Sequence, residues 1–417
     1  PPTPHAPKNA PASLCGAVYF GQETPPRTPL LLFRPTALQT ARSRGALAGA
    51  TAPQLGAAAI RAVIDDAGIE ARDIDQVLMG CVLPAGQGQA PARQASLGAG
   101  IPDGVPCTTV NKMCGSGMET IILGHDRIGA GSAAIVVAGG FESMSNAPYL
   151  LPKAREGYRM GHQQTLDHMF YDGLQDPYEN QMMGHFAQVT ADKYEFTREQ
   201  MDAFAIESVN RAQRAVADGT FTEQIAPVTI SGRRGDVTVA SDETPGKVSV
   251  EKIPTLRPAF RKDGTVTAAT SSSISDGAAA IILMRASEAK KRGLVPLARI
   301  VAHSAFAHEP AWFTTAPVYA LKSLQERMNW TPDDVDLYEV NEAFAVVTMA
   351  AMQDIGIEHT KINVNGGACA LGHPIGATGC RITVTLLHAL RDRGLKRGIA
   401  TQCIGGGEAT AIALEIE

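Results

Sequence analysis

Two residue patterns occur once in each half of the chain, in the same order. Residues 71–82 (ARDIDQVLMGCV) and 332–343 (PDDVDLYEVNEA) each place acidic residues before a short apolar run that ends in a turn. Residues 133–143 (AAIVVAGGFES) and 398–410 (GIATQCIGGGEAT) each place an apolar run before glycines. This repeated order predicts a duplicated α/β unit with mostly parallel strands in mixed sheets. The carboxyl ends of such strands are where ligand sites collect.

The composition of the chain changes along its 417 residues. Residues 1–44 are rich in proline, and Glu23 is the only acidic residue up to position 64, so we expect a divergent, poorly ordered leader. We assign residues 45–295 to an N-terminal half and residues 296–417 to a C-terminal half. Residues 146–262 are richer in Met, Tyr, His and Gln, and we predict that they form a loop domain inserted into the first half.

Charge and cysteine usage exclude several classes of protein. The net charge of −5 offers no electrostatic reason for binding nucleic acid or a membrane surface, and no apolar run approaches the ~18 residues that span a bilayer. Seven cysteines without paired spacing argue against a disulfide framework, and the absence of CxxC argues against a structural zinc site. We therefore expect a reducing compartment, the cytoplasm, with the mitochondrial matrix as the alternative.

Cys114 lies where a predicted strand, residues 107–110, turns into a predicted helix. The positive end of a helix lowers the pKa of a thiol and favours the nucleophilic thiolate. Gly115 and Gly117 allow a substrate carbonyl to approach backbone N–H donors. A buried structural cysteine is the alternative interpretation, and it is the better one for an isolated cysteine in an apolar run.

Three turns in the second half carry possible partners of this thiol: Asn341, His373 and Cys403. His373 can act as the base that generates the thiolate, and Cys403 can act as a second acid or base. Asn341 and the backbone N–H groups of Cys114 and Gly405 can stabilise developing oxyanions. Alone, His373 can equally be a loop histidine, Cys403 a core residue and Asn341 a turn residue; their combination at successive strand ends favours catalysis.

Together, NKMCGSGMET, GGFESMSNAPY, VNEAFA, NVNGGACALGHPIGATGCR and CIGGGEATA resemble the thiolase family, the coenzyme A-dependent acetyl-CoA acetyltransferases and 3-ketoacyl-CoA thiolases. The resemblance extends from about Gly45 to the C-terminus. It implies a thiolase fold, a duplicated five-layered αβαβα arrangement with a loop domain inserted in the first half. It also implies a homotetramer or homodimer that acts on acyl-CoA and CoA as substrates, without a cofactor or a metal.

The resemblance also implies a role for each matching residue. Cys114 corresponds to the acylated nucleophile, His373 to its base, and Cys403 to the acid/base at the substrate α-carbon. Asn341 corresponds to the asparagine that holds a water in one oxyanion hole, and Gly405 donates with Cys114 in the second. The implied mechanism is ping-pong, in which an acyl group passes from acyl-CoA to the cysteine before acetyl-CoA or CoA attacks it.

Four further positions are implied to contact the substrate. Ser272 matches the serine that contacts pantetheine, and Lys247 stands where the family places a basic residue near the adenosine phosphates, although an exposed lysine is an equal alternative. Phe313 matches a phenylalanine that shapes the acyl pocket in mitochondrial-type acetoacetyl-CoA thiolases. Met183 belongs to Met182-Met183-Gly184, which replaces a family His-Met-Gly and removes a pocket histidine.

The sequence departs from the family pattern at two other places. No strand-like run precedes Arg27-Thr28-Pro29, so the first family strand is not predicted in the leader. Pro245 stands where the mitochondrial-type enzymes have a potassium-site tyrosine, so potassium is not expected. Two alternatives to a thiolase are a ketoacyl synthase, which lacks a cysteine equivalent to Cys403, and a catalytically weak acyl-CoA binding protein.

Overall fold

The computed structural model of the chain describes residues 30–37, 41–42, 44–231 and 235–417. Its strands are β1 (Leu30–Ala37), β2 (Ala41–Arg42), β3 (Gln76–Gly80), β4 (Cys107–Val110), β5 (Ile135–Ser143), β6 (Tyr149–Leu150), β7 (Leu166–Asp167), β8 (Val228–Ile230), β9 (Val237–Val239), β10 (Ser275–Arg285), β11 (Ala298–Ala307), β12 (Leu337–Val340), β13 (Arg397–Ile404) and β14 (Glu408–Ile416). Its α-helices are α1 (Ala52–Ala67), α2 (Pro91–Gly98), α3 (Ser116–Gly129), α4 (Met183–Lys193), α5 (Arg198–Ala217), α6 (Ala286–Arg292), α7 (Ala316–Met328), α8 (Ala345–Ile355), α9 (Ala368–Leu371) and α10 (Thr378–Asp392).

The long strands form one mixed sheet in the order β12-β13-β14-β11-β1-β10-β5-β3-β4. In the first half, β3 pairs parallel to β4 and β5, and β10 pairs antiparallel to β5 and β1, so β10 alone is reversed. In the second half, β12 and β13 are parallel, and β14 is antiparallel to β13 and β11. The predicted duplication and the mostly parallel strand direction are therefore confirmed.

The helices complete five layers, as the resemblance implies. Helices α1 and α2 cover the outer face of the first-half strands, and α7 and α8 cover the outer face of the second-half strands. Helices α3 and α10 pack against each other between the two sets of strands. Every residue from Thr378 to Leu390 of α10 is buried, because sheet or helix surrounds that part of the helix on all sides.

The first repeated pattern, residues 71–82 and 332–343, forms the same local structure in both halves. In the first half, the 3₁₀ turn Ala71–Asp73 precedes β3, and in the second half the 3₁₀ turn Pro332–Asp334 precedes β12. The next aspartate, Asp75, accepts hydrogen bonds from the N–H groups of residues 134 and 135 at 2.7 and 2.9 Å. Its counterpart Asp336 accepts from those of residues 396 and 397 at 2.9 and 2.8 Å. Each aspartate thus fixes the start of the parallel strand beside it, β5 or β13.

Part of the segment that we expect to be a poorly ordered leader, residues 30–37, lies among the described residues. These residues form β1, which pairs with β10 and, through residues 30–32, with β11, so this strand joins the two halves of the sheet. The register with β10 shifts between Phe33 and Thr36, around Pro35. Proline has no N–H donor, so a bulge is where a strand tolerates it, and this proline hides the strand pattern in the sequence. Residues 1–29 lie outside the described residues.

The segment predicted as an insertion, residues 146–262, contains α4, α5 and the two small hairpins β6–β7 and β8–β9 between β5 and β10. Its helices pack on the second half: α4 contacts α8 and the turn Pro310–Thr315, and α5 contacts α8 and α9. The segment thus packs against helices and a turn of the second half. Within the ranges given above, no helix has the length and apolar character needed to cross a bilayer.

Backbone segments of the two halves meet at Gly140 in β5. A Cβ atom at this position would lie 2.0 Å from the carbonyl oxygen of Gly376, in the loop before α10. Only a residue without a side chain permits this approach.

We predict that Gly140→Ala lowers the free energy of unfolding by at least the ~1–3 kcal/mol typical of overpacked cores, because two backbones must separate. Gly129→Ala is the matched control: it lies at the end of α3, and its added methyl group meets no atom within 4 Å. Chemical denaturation of both variants measures the difference. Equal stability of the two would contradict the close packing described.

Candidate active site

Cys114 lies in a tight turn between β4 and α3. Met113 adopts a left-handed conformation, with φ of 48°, which is uncommon for a residue with a side chain. The turn is fixed by Ser116, whose Oγ accepts from the N–H of Lys112 at 2.9 Å and donates to the Met113 carbonyl at 2.6 Å. Asn111 Oδ1 accepts from the N–H of Met113 at 3.0 Å. These contacts present the half-buried cysteine directly before the first turn of the helix.

A cavity of about 220 Å³ opens beside this turn. Six of the predicted site residues line it: Cys114, Met183, Ser272, Phe313, His373 and Gly405. They come from six separate segments of both halves and the inserted domain. Most of the remaining wall is apolar, with Phe170, Phe260, Phe344 and Ile375 among its members. A small apolar cavity with few polar groups and a thiol fits the reaction of an uncharged acyl group.

His373 is buried in the loop before α10, and one contact determines its orientation. Its Nδ1 lies 2.6 Å from Oγ1 of Thr378, and that hydroxyl donates its own proton to the carbonyl of Pro374 at 2.9 Å. The hydroxyl must therefore accept from Nδ1–H, which leaves the lone pair on Nε2. Nε2 has no partner among the described residues. Burial, with a smaller effect of Arg381, lowers the pKa of His373 to about 3.

The thiol pKa values differ from the sequence-based expectation. Burial raises the pKa of Cys114 to about 11, although the backbone N–H groups of Gly405 and Cys114 itself lower it by a smaller amount. The expected lowering by the helix terminus is therefore outweighed, because the thiolate loses more solvation than the helix provides. With His373 also neutral at pH 7, the resting pair is a thiol beside an uncharged imidazole.

Cys403 and Asn341 are buried and are not among the residues that line the cavity. Cys403 is fully buried at the end of β13; burial raises its pKa, and the charge of Cys114 raises it further, which marks the two sulfurs as neighbours. Asn341 follows β12 and is also buried, and its backbone N–H donates to Thr401 at 3.0 Å. Both polar atoms of its side chain lack a partner among the described residues. Buried amides are rarely left unpaired, so this one is available to a bound group.

The predicted substrate contacts divide into those at the cavity and one outside it. Ser272 lies on the wall, where its backbone N–H and its hydroxyl both donate to the carbonyl of Ala343 at 3.0 Å. Met183, Met182 and Phe313 also line the wall. Lys247 does not line it: the exposed ammonium group forms an ion pair with Glu243.

Glu142 and Thr378 contribute to the site, although neither was singled out from the sequence. The buried carboxylate of Glu142 accepts from the N–H groups of Val82, Leu83 and Gly376 at 3.0, 3.1 and 2.9 Å. Burial raises the pKa of Glu142 to about 7 despite these bonds. Glu142 lies within the motif GGFES, and Thr378 lies five residues after His373 in a second glycine-rich motif. A polar residue inside a glycine-rich motif is thus the sequence signal by which both residues could have been found.

Comparison with known proteins identifies the family. The model described as "Thiolase, N-terminal domain" matches residues 35–287, and "Thiolase, C-terminal domain" matches residues 294–416. The chain belongs to the thiolase family. It is 47% identical over 373 residues to the acetyl-CoA acetyltransferase of Pseudomonas aeruginosa, covering 89% of this chain and 95% of that protein.

Solved structures of thiolases have the same fold. The crystal structure of the Bacillus anthracis acetyl-CoA acetyltransferase matches with a TM-score of 0.91 at 38% identity and covers 94% of this chain and 99% of that one. A thiolase from Ascaris suum, solved in complex with coenzyme A, matches with a TM-score of 0.88 at 40% identity, over 93% and 100% of the chains. These matches favour a thiolase over the alternative of a ketoacyl synthase.

We predict that the rate of alkylation of Cys114 by iodoacetamide rises about tenfold per pH unit from pH 7 to pH 10, because the thiolate fraction grows towards a pKa of about 11. Quantifying the modified Cys114 peptide by mass spectrometry separates this thiol from the others. A rate that reaches a plateau below pH 8 would instead show a resting thiolate.

Proposed function

We propose that this thiolase is an acetyl-CoA C-acetyltransferase, which makes or cleaves acetoacetyl-CoA or another short 3-ketoacyl-CoA through acyl-Cys114. One observation carries the proposal: Cys114, His373 and Gly405 share the wall of one apolar cavity, and Cys403 lies buried beside the first of them. The acetyl-CoA acetyltransferase names of relatives that align over most of the chain support the same activity.

In the first half-reaction, Nε2 of His373 takes the proton of the Cys114 thiol as the sulfur attacks the thioester carbonyl of acyl-CoA. The oxyanion of the tetrahedral intermediate accepts hydrogen bonds from the N–H groups of Cys114 and Gly405, which already point at the sulfur. Collapse breaks the bond to the CoA sulfur. The proton moves during the attack, because neither thiolate nor imidazolium is favoured in the buried resting site.

The proton balance assigns a second step to Cys403. This thiol must lose a proton before it can act as a base, and the leaving CoA thiolate is the acceptor that completes the cycle. The resulting Cys403 thiolate is strongly basic, because burial raises its pKa, and it removes a proton from the α-carbon of acetyl-CoA. The carbanion attacks acyl-Cys114, and the departing Cys114 sulfur regains its proton from His373. Thiolysis follows the same steps in reverse.

Asn341 and His373 are proposed to stabilise the negative oxygen of the acetyl-CoA enolate, the asparagine through a held water. Support comes from the unpaired side-chain amide of Asn341 and the unpaired Nε2 of His373, both buried.

Phe313 and Met183 are proposed to limit the length of the acyl group, since a cavity of about 220 Å³ with aromatic walls favours short chains. Ser272 is proposed to contact pantetheine from the same wall.

Other parts of the proposal rest on the resemblance. Lys247 is proposed to approach a CoA phosphate, for which it would exchange its ion pair with Glu243. We also propose a homotetramer located in the cytoplasm. The steps above use side chains and backbone donors of the chain itself, so CoA thioesters are proposed as substrates and no cofactor or metal is assigned to the reaction.

We predict that the wild-type protein converts acetoacetyl-CoA and CoA to acetyl-CoA, and that Cys114→Ala lowers the rate at least a thousandfold, because it removes the nucleophile. Cys107→Ala is the matched control, since this cysteine is also half-buried but lies in β4, away from the cavity wall. Product is measured by mass spectrometry. Full activity in Cys114→Ala would refute the assignment, and CoA binding without turnover by wild type would favour the binding-protein alternative.

We predict that Thr378→Val lowers kcat at least tenfold, a part of the ~10²–10⁴-fold that a general base contributes, while KM changes little. Valine keeps the shape of threonine but cannot accept from Nδ1–H, so the His373 tautomer is no longer fixed. Thr378→Ser is the matched control and should restore most of the activity. Equal kcat in all three proteins would show that the threonine does not position the base.

A further inference from the structure

His125, Asp126 and His303 bring three metal-binding side chains together on the surface, away from the cavity wall. His125 and Asp126 are neighbours in α3 of the first half, and His303 lies in β11 of the second half. Their donor atoms lie within 4.8 Å of one another, and no second such trio occurs in the part of the chain that the structure describes. The side chains are 28%, 55% and 23% exposed, so solvent and ions reach them.

The distances between the donor atoms suit a single ion. Oδ1 of Asp126 lies 3.1 Å from Nδ1 of His125 and 3.1 Å from Nε2 of His303. Zinc binds imidazole nitrogen and carboxylate oxygen at about 2.0–2.2 Å, so ligands around a tetrahedral ion lie about 3.3–3.5 Å apart. The trio therefore needs to open by only a few tenths of an ångström at these two contacts. The imidazole rings meet edge to face, with centroids 5.2 Å apart, and the two donor nitrogens lie within 4.8 Å of each other.

The charges around the trio leave its carboxylate available. Among the described residues, the ion pairs of Asp126 are with His125 and His303 alone. Two arginines lie near the trio, but their hydrogen bonds go to other groups than the Asp126 carboxylate. Arg127, the next residue in the chain, donates to Oε1 of Gln76, and Arg327 donates to the backbone carbonyl of His303 at 2.7 Å. The second of these contacts also fixes the strand that carries the histidine. A carboxylate shared by two imidazoles, without a competing guanidinium or ammonium, is a ligand set that favours zinc.

We propose that His125, Asp126 and His303 bind one Zn²⁺ ion, with water at the fourth position. The ion would be coordinated by Nδ1 of His125, Oδ1 of Asp126 and Nε2 of His303, and each coordinating nitrogen would carry no proton. The site links α3, the helix that begins beside Cys114, to a strand of the other half. Sequence spacing did not reveal it because the two histidines are far apart in the chain and meet only through the duplicated fold.

The alternative is a trio held by hydrogen bonds alone, in which each histidine donates an N–H to the shared carboxylate. Both arrangements explain the 3.1 Å contacts, but only one of them binds metal. The distinction therefore rests on ion binding by the intact chain, measured independently of turnover.

The test is isothermal titration of Zn²⁺ into chelator-treated, full-length protein. All variants carry Cys114→Ala, which removes the half-buried thiol of the cavity as a competing ligand. We expect one ion per chain in this background, and at least tenfold weaker binding in His125→Ala, His303→Ala and Asp126→Asn. His162→Ala is the matched control, because His162 is exposed in the loop before β7 and outside the trio, and it should leave the affinity unchanged.

Thermal unfolding gives a second readout that does not depend on heats of binding. Zn²⁺ should raise the melting temperature of the Cys114→Ala background and of the His162→Ala control, because it binds only the folded arrangement of the two halves. The rise should be absent in His303→Ala, whose circular dichroism spectrum should remain that of the folded protein. Unchanged affinity and stoichiometry in a His125→Ala/His303→Ala double variant, or no binding by the background, would overturn the proposal.

Discussion

The active site depends on the carboxylate of Glu142, which joins the two halves of the chain. It accepts from Val82 and Leu83 at the end of β3 and from Gly376 in the loop that carries His373. A buried carboxylate is costly unless such donors satisfy it, and each donor would be unsatisfied without it. The loop lies close to the strands because Gly140 in β5 and Gly80 in β3 both leave space for the Gly376 carbonyl. The loop that carries His373, the proposed base, is thus held by contacts to the first half.

Burial determines the resting chemistry of the site. The same exclusion of water that raises the pKa of Cys114 lowers that of His373, so both groups rest uncharged. A resting ion pair would require two charges to be stabilised before substrate arrives. The neutral pair instead develops charge as the thioester binds, when the N–H groups of Cys114 and Gly405 can stabilise the oxyanion. The raised pKa of the Cys114 thiol follows from its burial in the fold, which outweighs the effect of the helix terminus.

The sequence allowed much of this arrangement to be predicted, because its signals are local. The repeated aspartates Asp75 and Asp336 mark corresponding strands, and the glycine-flanked Cys114 marks the turn into α3. Other features depend on contacts between distant residues. Strand β1 contains Pro35 at a bulge, so its pattern is interrupted. The pKa of Cys114 depends on how deeply the sulfur is buried, and the role of Thr378 depends on a contact with the His373 ring, which a linear pattern does not show.

The most direct test of the mechanism is to locate the acyl group in the enzyme itself. The protein is mixed with acetyl-CoA, quenched in acid and digested, and acetylated peptides are identified by mass spectrometry. Cys403→Ala is included because loss of the second acid/base should slow condensation and allow the intermediate to accumulate. The mechanism predicts acetyl-Cys114 in both proteins and its loss in His373→Asn. Acetylation of Cys403 alone, or turnover of acetoacetyl-CoA without any acetylated cysteine, would contradict it.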